Sequence, residues 1–558
     1  MKKDDSVFRL DFSDEFMLDS VEKRAQNGDF IGALTLLNKR NQMYAPSADA
    51  QALAADIYEE MGMHRMAADA WFRFLDTCNE ADFAEGYEGL AVAFMNMGNE
   101  FHSALYYNRY CEEGELVSEE ADGEDLEKLF AEEISSTPHL RLVHSDGESP
   151  EAFSEGLNLL KSGDLEEAKE KFEEVSERSE EYATAMGLNA MCTLMLGKEE
   201  EAGNICRDAL EKFPENITVL TSYCAVLGAQ EKKAEAKEVA RRLAVLDTDN
   251  TDDLYRIATA LCETNLDKEA YPVLVKLREK LPNDDNVLYF YAVSAYRTDR
   301  LDNAIEALER LTTLYPRKAV ASYFLLLMRE KRDGNGESFP MEYLYRVPTE
   351  EYNSIAGLLL RAEKADGVAK LREIANMPQL RDCLKIAFDE MDGRDQKLQL
   401  LAAKVAVKLR RDAEVREMLL DFDADDVVKL HALHELIMRN EEDSFGTVIC
   451  NLYKEFFTHK IEIGHKKSEE FLHAFAEVYS KFALFGEENE HKLCAAAEDI
   501  YAAIEEYEAW EYCEERASLA AAIYREARLK RGERKLAEIV KLFNANKYKT
   551  QKILDLMM

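Results

Sequence analysis

Residues Gly187–Pro214, GLNAMCTLMLGKEEEAGNICRDALEKFP, decide the fold. Ala190, Ala202, Ala209 and Pro214 within that stretch each belong to a column of like residues with a step of 34. Ala168, Ala202, Ala236, Ala270 and Ala304 form one column. Gly156, Ala190, Cys224, Ala258 and Ala292, all small, form a second. Val175, Ala209, Leu243, Leu277 and Leu311, all apolar, form a third, and Pro214, Pro282 and Pro316 share a fourth. Five registers without an insertion mark an array of repeated units.

The chemistry of the columns defines the unit. Ala168, Phe172 and Val175 are spaced by four and three, which puts them on one face of a helix. Gly163 ends the preceding helix, and Asp164 stands where the next can be capped. Each unit is therefore a helical hairpin. The small columns fall where two helices approach too closely for a large side chain, and the proline column stops each second helix. Pro272 lies inside a second helix, where the sequence predicts a local kink.

With those residues in place, the chain resembles the tetratricopeptide repeat family, whose unit is 34 residues long. The shared motif is the small residue of the first helix, the alanine of the second, the apolar residue beyond it and the closing proline. The resemblance is strong over 150–330 and recurs over 18–111, where Gly28 and Gly62, and Ala33 and Ala67, are also 34 apart. Gly98 and Ala104 then slip by two or three residues. The bulky residue the family prefers is replaced at Cys206 and Ala240, and its large aromatic at the start of the first helix is often missing. The resemblance implies an all-α chain, an α-solenoid of helical hairpins, whose first helices line a concave face that carries ligand contacts.

Around the array, the sequence divides into an N-terminal tail (1–17), tetratricopeptide-like hairpins (18–111) and an acidic linker (112–149). The regular array (150–332) is followed by a loop (333–348), where DGNG, Pro340 and Pro348 interrupt helical periodicity. A helical region (349–524) and a basic helical segment (525–558) complete the chain. The linker carries acidic residues throughout, opposed only by Lys128 and Arg141, a composition that suits a solvated spacer; Leu126 to Ile134 has the pattern of a short helix. Helical signals beyond Pro378 run through Leu398–Arg410, Ala413–Leu420, Val427–Met438, Phe445–Phe457, Glu469–Phe485, Lys492–Tyr507, Tyr512–Lys530 and Glu533–Phe543, with breaks at Gly393, Gly464, Gly486 and Gly532. They read as degenerate tetratricopeptide-like or HEAT-like hairpins.

Composition bounds the function. Acidic side chains outnumber basic ones 111 to 70, a formal charge of −41, which argues against general affinity for nucleic acid or anionic membrane. The N-terminus lacks the uninterrupted apolar run of a secretory signal, and the apolar run Ala319–Met328 is too short to span a bilayer. The 10 cysteines are scattered, with no CxxC, and read as free thiols of a reducing cytoplasm. The expected localisation is cytoplasmic.

No phosphate loop, nucleophile elbow, zinc helix or calcium loop is present, so no catalytic residue, metal or cofactor is assigned. His431 and His434 lie three apart with Glu435 beside them; without a third ligand they read as packed or surface histidines. A binding face is better supported. Tyr255, Tyr289 and Tyr323 recur at the 34 step on the first helices. Thr259 and Val293 follow four residues later on the same face, and Tyr296 and Arg297 one turn further. Rigid tyrosines give a peptide large contact area at little rotamer entropy; the alternative is that they pack on adjacent helices as core. The carboxylate clamp of the family's chaperone-binding members is absent, since Phe153, Gly187, Met191, Thr221 and Ala225 stand in its places. An apolar or aromatic-bearing helix or extended peptide fits better.

The segment Arg525–Lys552 runs against the overall charge. Arg528, Arg531, Arg534 and Lys535 could contact an acidic partner or nucleic acid, or pair with the acidic solenoid itself. The sequence reading is thus a non-enzymatic scaffold that holds a partner protein's peptide or helix in the concave groove. The alternatives are a nucleic-acid-associated regulator using the basic C-terminus, or an enzyme with its site in 349–520 and the repeats as targeting modules.

Overall fold

The computed structural model describes residues 13–113, 151–389, 396–465, 467–485, 487–529 and 535–557. Most of the acidic linker with its Leu126–Ile134 helix, the N-terminal residues before Ser13, the breaks at Gly393, Gly486 and Gly532, and Arg531 and Arg534 lie outside them. Two units are distinguished. One takes residues from both ends of the chain, Met1–Ile134 and Val347–Met558; the other is Ser135–Arg346.

The Ser135–Arg346 unit is the array. Its helices pair as α7 (Glu151–Ser162) with α8 (Leu165–Glu173), α9 (Tyr182–Met195) with α10 (Glu199–Lys212), and α11 (Ile217–Ala229) with α12 (Lys233–Ala244). Then follow α13 (Thr251–Glu263) with α14 (Asp267–Lys280), α15 (Asp285–Arg297) with α16 (Leu301–Leu314), and an unpaired α17 (Ala319–Arg332). The alanine column Ala168, Ala202, Ala236, Ala270 and Ala304 is buried throughout. A Cβ on Gly156 would meet Phe172 Cε1 at 2.7 Å, the close approach that the small column anticipates.

Each hairpin turns on a residue with left-handed backbone, and that position keeps the period: Gly163, Gly197, Glu231, Asn265 and Asp299 all have positive φ. Only the first two are glycine. The first helices carry a cap column of their own. Asn216 accepts from Val219 N at 3.0 Å, Asn250 from Asp252 N at 2.9 Å and Asp284 from Val287 N at 2.9 Å, each satisfying an otherwise orphaned helix donor. Asp164, in contrast, makes no side-chain cap. The proline column has a second role. Arg242 donates to Pro214 O at 2.6 Å and Arg310 to Pro282 O at 2.8 Å, each tying a second helix to the end of the preceding hairpin. The helix Asp267–Lys280 runs on through Pro272.

In the other unit, the N-terminal hairpins are α1 (Asp14–Gln26) with α2 (Phe30–Met43), α3 (Ala48–Glu60) with α4 (His64–Thr77), and α5 (Phe83–Asn96) with α6 (Glu100–Glu113). They turn at Gly28, Gly62 and Gly98, all with positive φ. The C-terminal part contributes α18 (Thr349–Glu363), α19 (Val368–Ala375), α20 (Leu380–Asp389), α21 (Lys397–Lys408), α22 (Asp412–Leu420) and α23 (Asp426–Met438). A β-hairpin follows, β1 (Asp443–Ile449) and β2 (Leu452–Thr458), and then α24 (Ser468–Phe482) and α25 (Glu487–Glu506). The last helices are α26 (Arg516–Glu526), α27 (Leu536–Leu542) and α28 (Lys547–Asp555).

The hairpin corrects the helix expected over Phe445–Phe457. Its strands are antiparallel, with Ile449 opposite Leu452 and Asp443 opposite Thr458. Cys450 and Asn451 both take positive φ and form a two-residue turn of the primed kind that matches strand twist. The run SFGTVI and its partner LYKEFFT are rich in β-branched and aromatic residues, which favour a pleated, packed surface over a helix.

This hairpin packs against the N-terminal helices. His102 Nε2 lies 3.0 Å from Cys450 O, Tyr106 Oη donates to Asn451 O at 2.9 Å and accepts from Tyr453 N at 3.1 Å. Arg73 bonds Glu417 and Phe72 stacks on Phe422. The N-terminal hairpins therefore share a core with the C-terminal region. The fully buried Lys429 donates to Val448 O at 2.6 Å, closing the other side of the strand pair.

Candidate functional site

The face expected to carry partner contacts is built by α13, α15 and α17. First helices α9 and α11 pack closely on one another, whereas α13, α15 and α17 stand further apart. The chain itself fills that space. After α17 the polypeptide turns at Gly334 (φ 78) and runs as a non-helical strap along α15. The strap alternates: Met341 and Tyr343 are buried and Phe339 and Tyr345 half-buried, whereas Pro340, Glu342 and Leu344 face outward. That period of two is the signature of an extended chain with one packed side.

The contacts divide between main chain and rings. Tyr296 Oη donates to Phe339 O and accepts from Phe339 N, both at 3.1 Å. Arg297 Nε donates to Met341 O at 3.0 Å, and Tyr289 Oη to Glu342 O at 3.0 Å. Phe339 stacks on Tyr296 with centroids 4.7 Å apart, and on Phe324 at 5.9 Å. Tyr343 enters between α13 and α15. Its ring meets Phe290 edge-on at 6.0 Å, the Arg297 guanidinium lies 5.1 Å from its centroid, and its hydroxyl donates to Asp267 Oδ1 at 2.8 Å. Tyr345 enters between α15 and α17, edge-on to Tyr289 at 4.8 Å, under Lys318 Nζ at 5.1 Å, with its hydroxyl accepting from Ala321 N at 3.2 Å. Burial, reinforced by the neighbouring Cys262 and Asp267, pushes the Tyr343 phenol far above the usual tyrosine range. It stays protonated and donates.

Arg297 links the whole arrangement, since its guanidinium also bonds Asn265 Oδ1 at 2.6 Å and Asp267 Oδ1 at 3.2 Å. Of the residues singled out in the sequence, Tyr289, Tyr296 and Arg297 thus meet the strap. Val293, expected to face a partner, is fully buried and belongs to the core, because α15 turns that side inward. Tyr255 and Thr259 are half-buried on α13, the Thr259 hydroxyl bonding back to Tyr255 O at 2.9 Å. Tyr323 is half-buried on α17, its ring edge-on to Phe324 at 5.3 Å. The strap's own residues escaped the sequence reading. Their alternation from Phe339 to Tyr345 was the available signal, masked by Pro340 and Pro348, which read as breaks.

Elsewhere the expected features take modest places. His434 Nε2 lies 3.3 Å from His473 Nδ1 and the two rings stack, while His431 Nε2 is 3.9 Å from Glu435 Oε1. Burial is the main cause that drives the His434 imidazole down to about 3 and lowers His431 as well, so both are neutral at pH 7. Among the described residues no three His, Cys, Asp or Glu side chains converge on a metal position. At the basic C-terminus, Arg528 is exposed beside Glu526 and Lys535 precedes α27, while Lys549 pairs with Glu515. The cysteines form no disulfide among the described residues; burial raises Cys192 to about 11 and Cys206 and Cys224 to about 12, leaving them as thiols. No helix among the described residues is long and apolar enough to cross a membrane.

A family model described as tetratricopeptide repeat matches residues 287–317, which hold α15 and α16. That hairpin is a tetratricopeptide repeat. A tetratricopeptide-repeat-containing protein of Dictyostelium discoideum is 26% identical over 135 residues, or 23% of this chain. The match spans about half of that relative, 51% of its length. Among solved structures, the human IFIT1 dimer with PPP-AAAA is 16% identical, covering 77% of this chain and 91% of its own, with a TM-score of 0.26. Yeast Tom70 is 15% identical over 76% and 91%, with a TM-score of 0.27. Likenesses at this level carry no inference about ligand or partner.

Proposed function

We propose that this tetratricopeptide-repeat chain is a protein-binding scaffold, not an enzyme, and that it holds an extended segment of a partner on the face formed by α13, α15 and α17. One observation carries the reading: that face already accommodates an extended polypeptide, the strap of this same chain, through main-chain hydrogen bonds and ring contacts. Recognition of main chain by Tyr289, Tyr296 and Arg297 provides affinity, and the slots between first helices read alternate side chains. Tyr255, Thr259 and Tyr323 extend the face on either side. The working compartment is the cytoplasm.

The test is capture of partners by tagged full-length protein, compared with a Tyr255→Ala/Thr259→Ala/Tyr323→Ala variant and an Arg528→Glu/Lys535→Glu variant. The expected outcome is at least a ~10-fold loss of the captured protein with the first variant, as for loss of contact residues contributing about 1.4 kcal/mol together, and none with the second. Capture that ignores the first variant, is lost with the second and falls steeply with salt would replace the scaffold by nucleic-acid binding through the C-terminus.

A further inference from the structure

The strap is more than a connection. A connecting loop needs only to reach from Arg332 to Thr349, yet this one places four alternate large side chains against the array and offers its main chain to three separate helix residues. The side chains of Pro340, Glu342 and Leu344 are exposed, and from that side main chain meets the face, at Glu342 O. Burial, alternation and backbone pairing together are those of a bound peptide that happens to be covalently attached.

Resting on the scaffold reading above, we infer that the strap is a resident self-ligand, and that the partner it excludes presents an extended segment of the same pattern. That pattern is aromatic or large apolar side chains at four alternate positions, with no charge required at those positions. The recognition elements define its chemistry. The Phe339 position requires a flat ring, because it stacks between Tyr296 and Phe324. The Tyr343 position requires a ring with a hydroxyl donor, because Asp267 Oδ1 accepts from it below the Arg297 guanidinium. The Tyr345 position requires a ring with an acceptor, because Ala321 N points at its oxygen and Lys318 lies over its face. Since the strap is tethered at both ends, its effective concentration at the face is on the order of millimolar. A partner segment of equal intrinsic affinity therefore competes only at comparable local concentration, or after the strap has been released.

The experiment uses the full chain and a fluorescent peptide of the strap sequence, ESFPMEYLYRV (Glu337–Val347). In the Tyr343→Ser/Tyr345→Ser variant the strap is released and the peptide is expected to bind at least ~10-fold more tightly than to wild type, whose internal strap competes. A peptide with Ser at the outward Pro340, Glu342 and Leu344 positions should bind as well as the parent; one with Ser at the Phe339, Tyr343 and Tyr345 positions should not bind. A Ser338–Tyr345 replacement by Gly and Ser of equal length, checked for helicity by circular dichroism, guards against a misfolded double variant.

Peptide that binds neither released chain, both retaining wild-type helicity, overturns the self-ligand. If partner capture still falls with the Tyr255/Thr259/Tyr323 variant in that case, the scaffold reading survives alone. Equal binding to wild type and released chain also overturns it, because the strap is then no competitor. Concentration-dependent dimers of wild type that vanish in the released variant would assign the face to the strap of a second copy and overturn the partner proposal.

Discussion

At the scale of single residues, the left-handed turn column is the clearest case of position outlasting identity. Gly163 and Gly197 suit their backbone, since glycine carries no Cβ to clash at positive φ. Glu231 occupies the same place at φ 58 and is exposed. Glu231→Gly is expected to raise stability by about 0.5–1 kcal/mol, the left-handed strain outweighing the added freedom of glycine in the unfolded chain. Chemical denaturation with an unchanged slope checks it. The same column marks the limit of what was legible. Glycine suits two of the turns, Asn265 and Asp299 tolerate left-handed backbone through their short polar side chains, and Glu231 carries no such signal, its role emerging only from its backbone. The cap column Asn216, Asn250 and Asp284 was likewise in plain view at the 34 step, but a cap depends on a φ/ψ change that spacing alone does not report. The tyrosine column was legible as a face, whereas its occupant was not.

Titratable residues add a second consequence at this scale. An unfolded histidine binds a proton as pH falls below about 6.5, whereas His434, held down to about 3 chiefly by burial and then by the charges of Arg516, His473, His431 and Lys481, does not. The unfolded chain then holds more protons than the folded one, so this contribution is present above pH 6.5 and is lost on acidification. The slope is about 1.4 kcal/mol per pH unit for each such proton. Burial lowers His102 and His459 in the same direction. Half-buried Asp76 and Glu435, both raised chiefly by desolvation, act with the opposite sign. His434→Gln isolates the one group: stability measured from pH 6.5 to 4.5 should fall less steeply in the variant than in wild type, by roughly that slope.

At the scale of elements, hairpins built on the 34 step followed from the sequence because small residues, apolar residues and prolines recur where helices cross and stop. The β1–β2 hairpin did not follow. Its turn, Cys450-Asn451, lacks the glycine that usually announces a two-residue connection, and its strands lie between helices on both sides. What holds it is tertiary. Tyr106, fully buried, both donates to Asn451 O and accepts from Tyr453 N. Tyr106→Phe keeps the ring and strips both bonds, leaving buried backbone groups short of a partner. A loss of about 1–3 kcal/mol is expected, together with faster hydrogen exchange at the Tyr453 amide. Exchange at that amide equal to wild type would show that the hairpin does not depend on α6.

At the scale of the whole molecule, the unit formed from both chain ends could not be read from periodicity. Arg65 pairs with Asp423, Arg73 with Glu417 and His102 with Cys450, contacts between segments some hundreds of residues apart that share no repeat register. The sequence reads 333–348 as a loop from DGNG and its prolines, and the strap runs within that stretch. Seen as a length of chain, it has one further property. Between Arg332 and Thr349 lie about sixteen residues, and while Phe339, Tyr343 and Tyr345 are seated, the stretch 339–345 among them is pinned. Set free, a chain of that size has a root-mean-square span of roughly 20–25 Å. Eviction of the strap would therefore turn occupancy of a binding face into slack in the chain that follows α17.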